Sequence, residues 1–305
     1  MNSPARSRTQ HRSHRPARAS LAAVTLAVAA LGASLSTPAA AAPSADREVY
    51  VALGDSMASG PLVPPITGPI ACGRSERNYA HLLAAKLQVD AFRDVTCSGA
   101  DTQDMTHPQP LSVGGIDAGT AAPQFDALSA DTTLVTLTIG GNDVGLVGVA
   151  QDCLQLNPFA DPCKDEFVKD GVDQVAQRIA ALGPKLDAVL DEIHARSPQA
   201  RVLVTGYGDY IKPGGCWPRV PVLGKDADWL QGSVDGMNSV IAAQAAANNA
   251  EYVDVRTPSK GHDSCQSASV RWVEGYIPGN LAAPLHPNAA GEAAYADIVL
   301  NRLGA

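Results

Sequence analysis

An alternation constrains this chain more than any other feature. Five short apolar runs, over 48–53, 91–96, 134–139, 201–205 and 251–255, are separated by stretches with helical spacing. Apolar runs of that length suit strands buried on both faces, and strands alternating with helices build a parallel sheet. Helices are expected over 78–88, 123–129, 166–196, 227–249 and 289–303, and Gly183-Pro184 predicts a kink or break in the longest. Residues 101–120, which hold His107-Pro108-Gln109-Pro110 and Gly114-Gly115, read as loop, as do 211–224 and 257–284. No internal repeat and no linker appears. Residues 43–305 are therefore expected to form one α/β domain around a mainly parallel, five-stranded sheet.

The first 42 residues stand apart. Arg6, Arg8, Arg12, Arg15 and Arg18 form a basic leader, an apolar run follows from Leu21 to Leu35, and Thr37-Pro38-Ala39-Ala40-Ala41-Ala42 is a small-residue cleavage region. That order predicts a secretory signal peptide. The run is shorter than the ~20 residues of a membrane span, so export without a stable membrane anchor is expected. Removing the leader moves the net charge from −8 to 18 basic against 31 acidic residues, or −13. Such acidity excludes nucleic acid as a partner, because that affinity rests on Lys and Arg neutralising phosphates. It also excludes charge-driven docking on anionic membranes. A soluble, extracellular monomer is expected.

Export makes disulfides the default for Cys72, Cys97, Cys153, Cys163, Cys216 and Cys265. There is no CxxC pair and no adjoining histidine cluster, so no metal is expected. Six cysteines allow fifteen pairings. Pairing of neighbours along the chain, which staples three successive loops, is the preferred order.

Chemistry in open α/β sheets collects beyond the carboxyl ends of the strands. The first run ends in Gly54-Asp55-Ser56, the second leads to Cys97-Ser98-Gly99, and the third ends in Gly140-Gly141-Asn142-Asp143. A late loop carries His286-Pro287-Asn288. Each type has a job in acyl transfer. A serine attacks a carbonyl when a base takes its proton, and histidine is the usual base near neutral pH. The resulting oxyanion needs preplaced donors. The backbone N–H of Ser56, the N–H of Gly99 and the amide of Asn142 are three such donors, and Gly99 brings its backbone close because no Cβ intervenes. Each residue also has a plainer reading: Asp55 or Ser56 as a helix cap, Gly99 and Asn142 as turn residues, His286 as the flank of the last helix. The four in this order favour the chemical one.

These blocks resemble the SGNH-hydrolase superfamily, also called GDSL esterases and lipases. Gly54-Asp55-Ser56-Met57-Ala58-Ser59-Gly60 is similar to its nucleophile block, with Met57 in place of the name-giving leucine. Ser98-Gly99-Ala100, Gly140-Gly141-Asn142-Asp143 and His286-Pro287-Asn288 are similar to the other three. Within the superfamily the chain is most similar to secreted actinomycete lipases and esterases. The resemblance implies a flavodoxin-like three-layer α/β/α sandwich, carboxylic ester hydrolysis without cofactor or metal, Ser56 as nucleophile, His286 as base, and an oxyanion hole of Ser56, Gly99 and Asn142. It also implies the pairs Cys72–Cys97, Cys153–Cys163 and Cys216–Cys265.

The chain departs from that pattern at one position. The family usually has Asp three residues before the histidine, where this chain has Ala283. A Ser56–His286 dyad is therefore expected, with the backbone carbonyl of Ala283 or Pro284 holding the ring tautomer. Asp263 or Glu274 folding back is the alternative. Asp55 and Asp143 are expected to brace their loops. His11 and His14 leave with the leader. His81 and His194 lie in helical stretches, and His107 and His262 lie in loops where they are candidates to line the cleft. No long apolar lid is visible, so an open cleft is expected, with a lipid or small-molecule ester as substrate. Trp217, Trp229 and Trp272 offer a sugar platform for the rival reading, a polysaccharide deacetylase, or else pack loops. A non-catalytic surface-binding module is the rival from another class.

Overall fold

A computed structural model of the protein describes residues 48–305; the leader and its cleavage region lie outside the described residues. Five strands form the main sheet: β1 (Val49–Gly54), β2 (Ala91–Asp94), β3 (Leu134–Thr138), β4 (Arg201–Thr205) and β5 (Glu251–Val253). Their order across the sheet is β2-β1-β3-β4-β5, and every neighbouring pair is parallel. That is the flavodoxin-type order. Every connection from one strand to the next leaves from the carboxyl edge, so the loops that carry the motifs share one end of the sheet.

Side chains alternate across each strand, and the alternation divides the core. Val51 and Leu53 of β1, Val135 and Leu137 of β3, and Val202 and Val204 of β4 face one layer. That layer is made by α2 (Gln174–Arg196) and α3 (Gly224–Ala247), through Ile179, Leu186, Ile193, Met237 and Ile241. Tyr50, Ala52, Leu134 and Leu203 face the other, made by α1 (Tyr79–Leu87) and α4 (Ala289–Leu303) through Leu83, Tyr295 and Val299. The result is the α/β/α sandwich, with the sheet wholly rather than mainly parallel.

Local readings need correction in two stretches. Residues 101–120 are not all loop: a 3-10 turn covers Thr102–Met105, and Gln109–Val113 pairs antiparallel with Ile116–Ala121. Gly114-Gly115 between two strands is a hairpin turn, a signal stronger than the flanking prolines. The long helix begins at Gln174, not 166, because Asp173 caps it by accepting from Val175 and Ala176 N–H. Ahead of it lie one turn, Lys164–Phe167, and a small hairpin, Val168–Lys169 with Val172–Asp173. Pro184 stands inside α2 without ending it, flanked by buried Leu182, Gly183 and Leu186. Tertiary packing holds the turn that the proline weakens.

The disulfides pair Cys72–Cys97, Cys153–Cys163 and Cys216–Cys265. All three staple loops at the carboxyl edge. Among the described residues, no helix is long and apolar enough to cross a membrane.

Candidate active site

The serine turn is built by β1. Gly54 has φ +141°, and a Cβ there would stand 2.4 Å from the Thr138 carbonyl oxygen of β3. Only glycine fits. Asp55 follows and caps the short helix Ser56–Ser59, accepting from Met57 N–H at 2.8 Å. Its other oxygen accepts from the Tyr207 hydroxyl at 2.5 Å, and that hydroxyl accepts from Gly141 N–H at 2.8 Å. One buried chain of bonds thus ties the Ser56 turn to the Asn142 turn through the end of β4. Burial pushes the Asp55 carboxyl up to about 7, against the bonds from Tyr207 and Met57.

The histidine arrives on an irregular segment. Asn288 caps α4 through Ala290 and Gly291 N–H, and its amide donates to Glu274 at 2.8 Å and to the Arg271 carbonyl at 2.9 Å. Glu274 is fully buried; it pairs with Arg271 and accepts from Gly279 N–H and the Asn280 amide. Its backbone N–H donates to the His286 carbonyl at 3.0 Å. Leu285 adopts φ +64°, the left-handed region that a branched side chain rarely enters. The turn it makes aims the imidazole inward.

His286 Nε2 lies 2.6 Å from Ser56 Oγ, and its Nδ1 lies 2.7 Å from the Pro284 carbonyl oxygen. A carbonyl only accepts, so Nδ1 carries the proton and Nε2 is free to accept the serine O–H. Of the two carbonyls expected, Pro284 holds the ring; that of Ala283 accepts the His286 backbone N–H instead. Neither candidate acid reaches the ring. Asp263 accepts from Cys265 N–H and the Gln266 amide, and Glu274 is occupied as described. Burial holds the His286 pKa below its ordinary value, with the Pro284 bond opposing in part.

Gly99 sits in the loop after β2 with φ +82°. A Cβ there would find its nearest neighbour, Gln109 Nε2, at 3.5 Å, an ordinary contact. Backbone conformation, not crowding, therefore explains the glycine. The N–H groups of Ser56 and Gly99 donate to no protein acceptor among the described residues. Asn142 Nδ2 donates to the Ala100 carbonyl at 2.7 Å, which leaves its second amide hydrogen uncommitted and joins the Asn142 turn to the Gly99 loop. Asp143 adds a second tie, accepting from Thr102 N–H and Oγ1 and pairing with Lys185.

Ser56 and Asn142 line a cavity of ≈ 90 Å³ whose walls include Leu146, Val147, Tyr210, Val222, Val234 and Tyr276. Met57 also lines it, and its Sδ accepts from the Tyr210 hydroxyl at 3.0 Å. Among the described residues, no other histidine lines it. His81 pairs with Asp94, His194 donates to the Asn248 carbonyl, His107 bonds Thr106, and His262 stacks on Trp272. The tryptophans are also elsewhere: Trp229 stacks on Phe167, and Trp217 donates to the Gln155 carbonyl. Among the described residues, no three His, Cys, Asp or Glu side chains group as metal ligands. Sequence reasoning missed Tyr207, Glu274 in its structural role, and Leu285. Gly206-Tyr207-Gly208 at the end of β4 was the available signal for the first.

A parallel sheet of flavodoxin order, with a serine turn after its first strand and a histidine block before its last helix, defines the class of GDSL-type hydrolases. The chain belongs to the GDSL-like lipase/acylhydrolase family, whose model matches residues 52–294. It is 35% identical over 277 residues to Lipase 2 of Streptomyces coelicolor, with 88% of each chain covered. It is similar in structure to phospholipase A1 from Streptomyces albidoflavus, at TM-score 0.70 and 28% identity, covering 84% of this chain and 99% of that one. The extracellular lipase of Streptomyces rimosus gives TM-score 0.65 and 29% identity, over 83% and 99%. The chain is accordingly a carboxylic ester hydrolase.

Proposed function

We propose that Ser56 is the nucleophile and His286 the sole side-chain base of a secreted esterase or lipase. The contact of 2.6 Å between Ser56 Oγ and His286 Nε2, made across 230 residues of chain at the mouth of an apolar cavity, carries this reading. Nε2 takes the serine proton as Oγ bonds to the ester carbonyl carbon. The carbonyl oxygen becomes an oxyanion and is met by Ser56 N–H, Gly99 N–H and Asn142 Nδ2. The imidazolium then protonates the departing alkoxide, which leaves as the alcohol. Water, deprotonated by the same nitrogen, bonds to the acyl carbon; the C–Oγ bond breaks, the acid leaves, and the imidazolium returns the proton to Ser56 Oγ. The Pro284 carbonyl performs the orienting part that a carboxylate plays in a triad. The acyl chain lies in the apolar cavity, so acylglycerols, aryl esters and phospholipid acyl esters are the substrate classes.

The leader and the three disulfides support export, with residues 43–305 as the mature, single-domain, monomeric enzyme. Hydrolysis of p-nitrophenyl esters tests the chemistry. Ser56→Ala is expected to lower kcat by at least about 10⁴. Retention of turnover within tenfold overturns the assignment. A chain-length series of the same esters, run beside triacylglycerol, phospholipid and acetylated xylan, assigns the substrate.

A further inference from the structure

The surface around the cavity mouth has its own chemistry. Three segments there carry no Asp, Glu, Lys or Arg, although the chain bears a net −8: residues 60–73, 153–160 and 275–291. They lie in the connections after β1, β3 and β5, all at the carboxyl edge of the sheet. Hydrogen bonds join them to one another and to the cavity wall. Ala283 N–H donates to the Pro61 carbonyl at 2.8 Å, linking the first segment to the third. The Tyr276 hydroxyl donates to the carbonyl of Ala150, a cavity residue on the helix that leads into the second. Trp217 donates to the Gln155 carbonyl of the second segment.

On these segments apolar side chains face water. Phe159 is 92% exposed, Ile277 85%, Leu156 83% and Leu281 71%; Leu62 is exposed as well, as is Trp217, which bonds the second segment. Singly, such residues need no explanation; gathered on three uncharged loop segments that hydrogen bonds tie together and to the cavity wall, they mark an interaction surface. None of them lines the cavity.

We propose that these loops dock the enzyme on the surface of an acylglycerol droplet, bringing the cavity mouth against the lipid. The inference rests on reading the cavity as the acyl site. Charge decides between lipid surfaces. A phospholipid layer presents phosphates, which proteins meet with Lys and Arg, and these segments have neither. An acylglycerol surface presents only esters and hydrocarbon, and an uncharged apolar collar matches it. The chain's acidity opposes an anionic layer further.

The test separates docking from catalysis by using Ser56→Ala protein, which is expected to bind substrate surfaces without consuming them. Its flotation with a triolein emulsion stabilised by gum arabic is compared with that of the same protein carrying Leu156→Ser, Phe159→Ser and Ile277→Ser. Each apolar side chain withdrawn from water is worth on the order of tenfold, so the triple substitution is expected to weaken binding at least a hundredfold. Weaker binding to phosphatidylcholine vesicles, and weaker still to phosphatidylglycerol vesicles, is the expected order. Equal binding by the two proteins, no binding by either, or tighter binding to either vesicle overturns the proposal. The triple substitution on the Ser56 background is expected to keep turnover of dissolved p-nitrophenyl acetate within twofold; its loss shows that the loops serve the cavity itself and also overturns docking. Failure of the catalytic reading is visible separately, as turnover of dissolved ester by Ser56→Ala.

Discussion

Ser56 and His286 meet from two different kinds of scaffold. The serine sits at the end of β1, a strand buried along its whole length and paired on both sides. Its turn is held by backbone geometry and by one carboxyl, Asp55, that burial keeps partly protonated near neutrality. The histidine sits on a segment with no sheet behind it. Its position depends on a fully buried and ionised carboxylate, Glu274, which collects Arg271, Asn280, Asn288 and Gly279 N–H around itself. Regular secondary structure satisfies its own polar groups, whereas an irregular segment must import partners for them. A buried charge is one way to supply those partners, provided every bond is made.

The largest effect is therefore expected on the histidine side. Glu274→Gln removes the charge that Arg271 pairs with, and Arg271 is itself buried. Breaking such a pair from one side costs about 3–5 kcal/mol, which urea unfolding measures directly. Turnover per folded molecule is expected to fall less than tenfold, because Glu274 makes no contact with the imidazole ring. A stability loss under about 1 kcal/mol removes the contrast between the two scaffolds. A turnover loss near 10⁴ reinstates a triad acid. Asp263→Asn is expected to leave turnover within tenfold as well.

A smaller effect is expected from the serine side. Tyr207→Phe strips the partner from Gly141 N–H and from one Asp55 oxygen, but the strand backbone remains in place. An unsatisfied buried group costs about 1–3 kcal/mol. If Tyr207→Phe destabilises the protein more than Glu274→Gln, the strand does not hold the serine turn unaided and the comparison breaks.

The same contrast explains what could be read from the residues beforehand. The five strands, the terminal helix and the Ser56, Gly99 and Asn142 blocks announce themselves because local pattern determines them: apolar runs, three of which end in glycine where the backbone must turn. The histidine's surroundings do not. Residues 257–284 have no periodicity, and nothing in the sequence says that Glu274 faces Arg271 and Asn288 and not the ring of His286. Leu285 at φ +64° cannot be inferred from a leucine. The hairpin over 109–121 was hidden differently, since His-Pro-Gln-Pro argues for loop while Gly-Gly argues for a turn between strands. The Tyr207 contacts join residues 66 and 152 positions apart, and those of Glu274 lie within an irregular segment, so in both cases only packing decides.

pH gives the smallest and most discriminating test, because the two carboxyls carry opposite signs. The Glu274 carboxyl lies below its ordinary value, since its bonds outweigh burial. Its contribution is present above the usual glutamate range and is lost as pH falls through its folded value. The Asp55 carboxyl is raised to about 7. Its contribution is present below the usual aspartate range and is lost as pH rises through about 7. Glu292, buried and raised well above its ordinary value, acts in the same direction as Asp55. The melting temperature of the wild type is thus expected to fall at both ends. Asp55→Asn shallows the neutral limb by on the order of 5 °C, and Glu274→Gln shallows the acid limb. The rate answers to a third group. As the proposed base, His286 must be neutral to act, and burial holds its pKa below the ordinary histidine value, so kcat/KM is expected to rise with pH to a midpoint below that value and then stay level. Because Asp55 serves the serine's scaffold and does not touch the ring, Asp55→Asn is expected to leave that midpoint within about half a unit. A shift of a full unit makes Asp55, not His286, the group that sets the rate, and the two sides of the site no longer divide as support and chemistry.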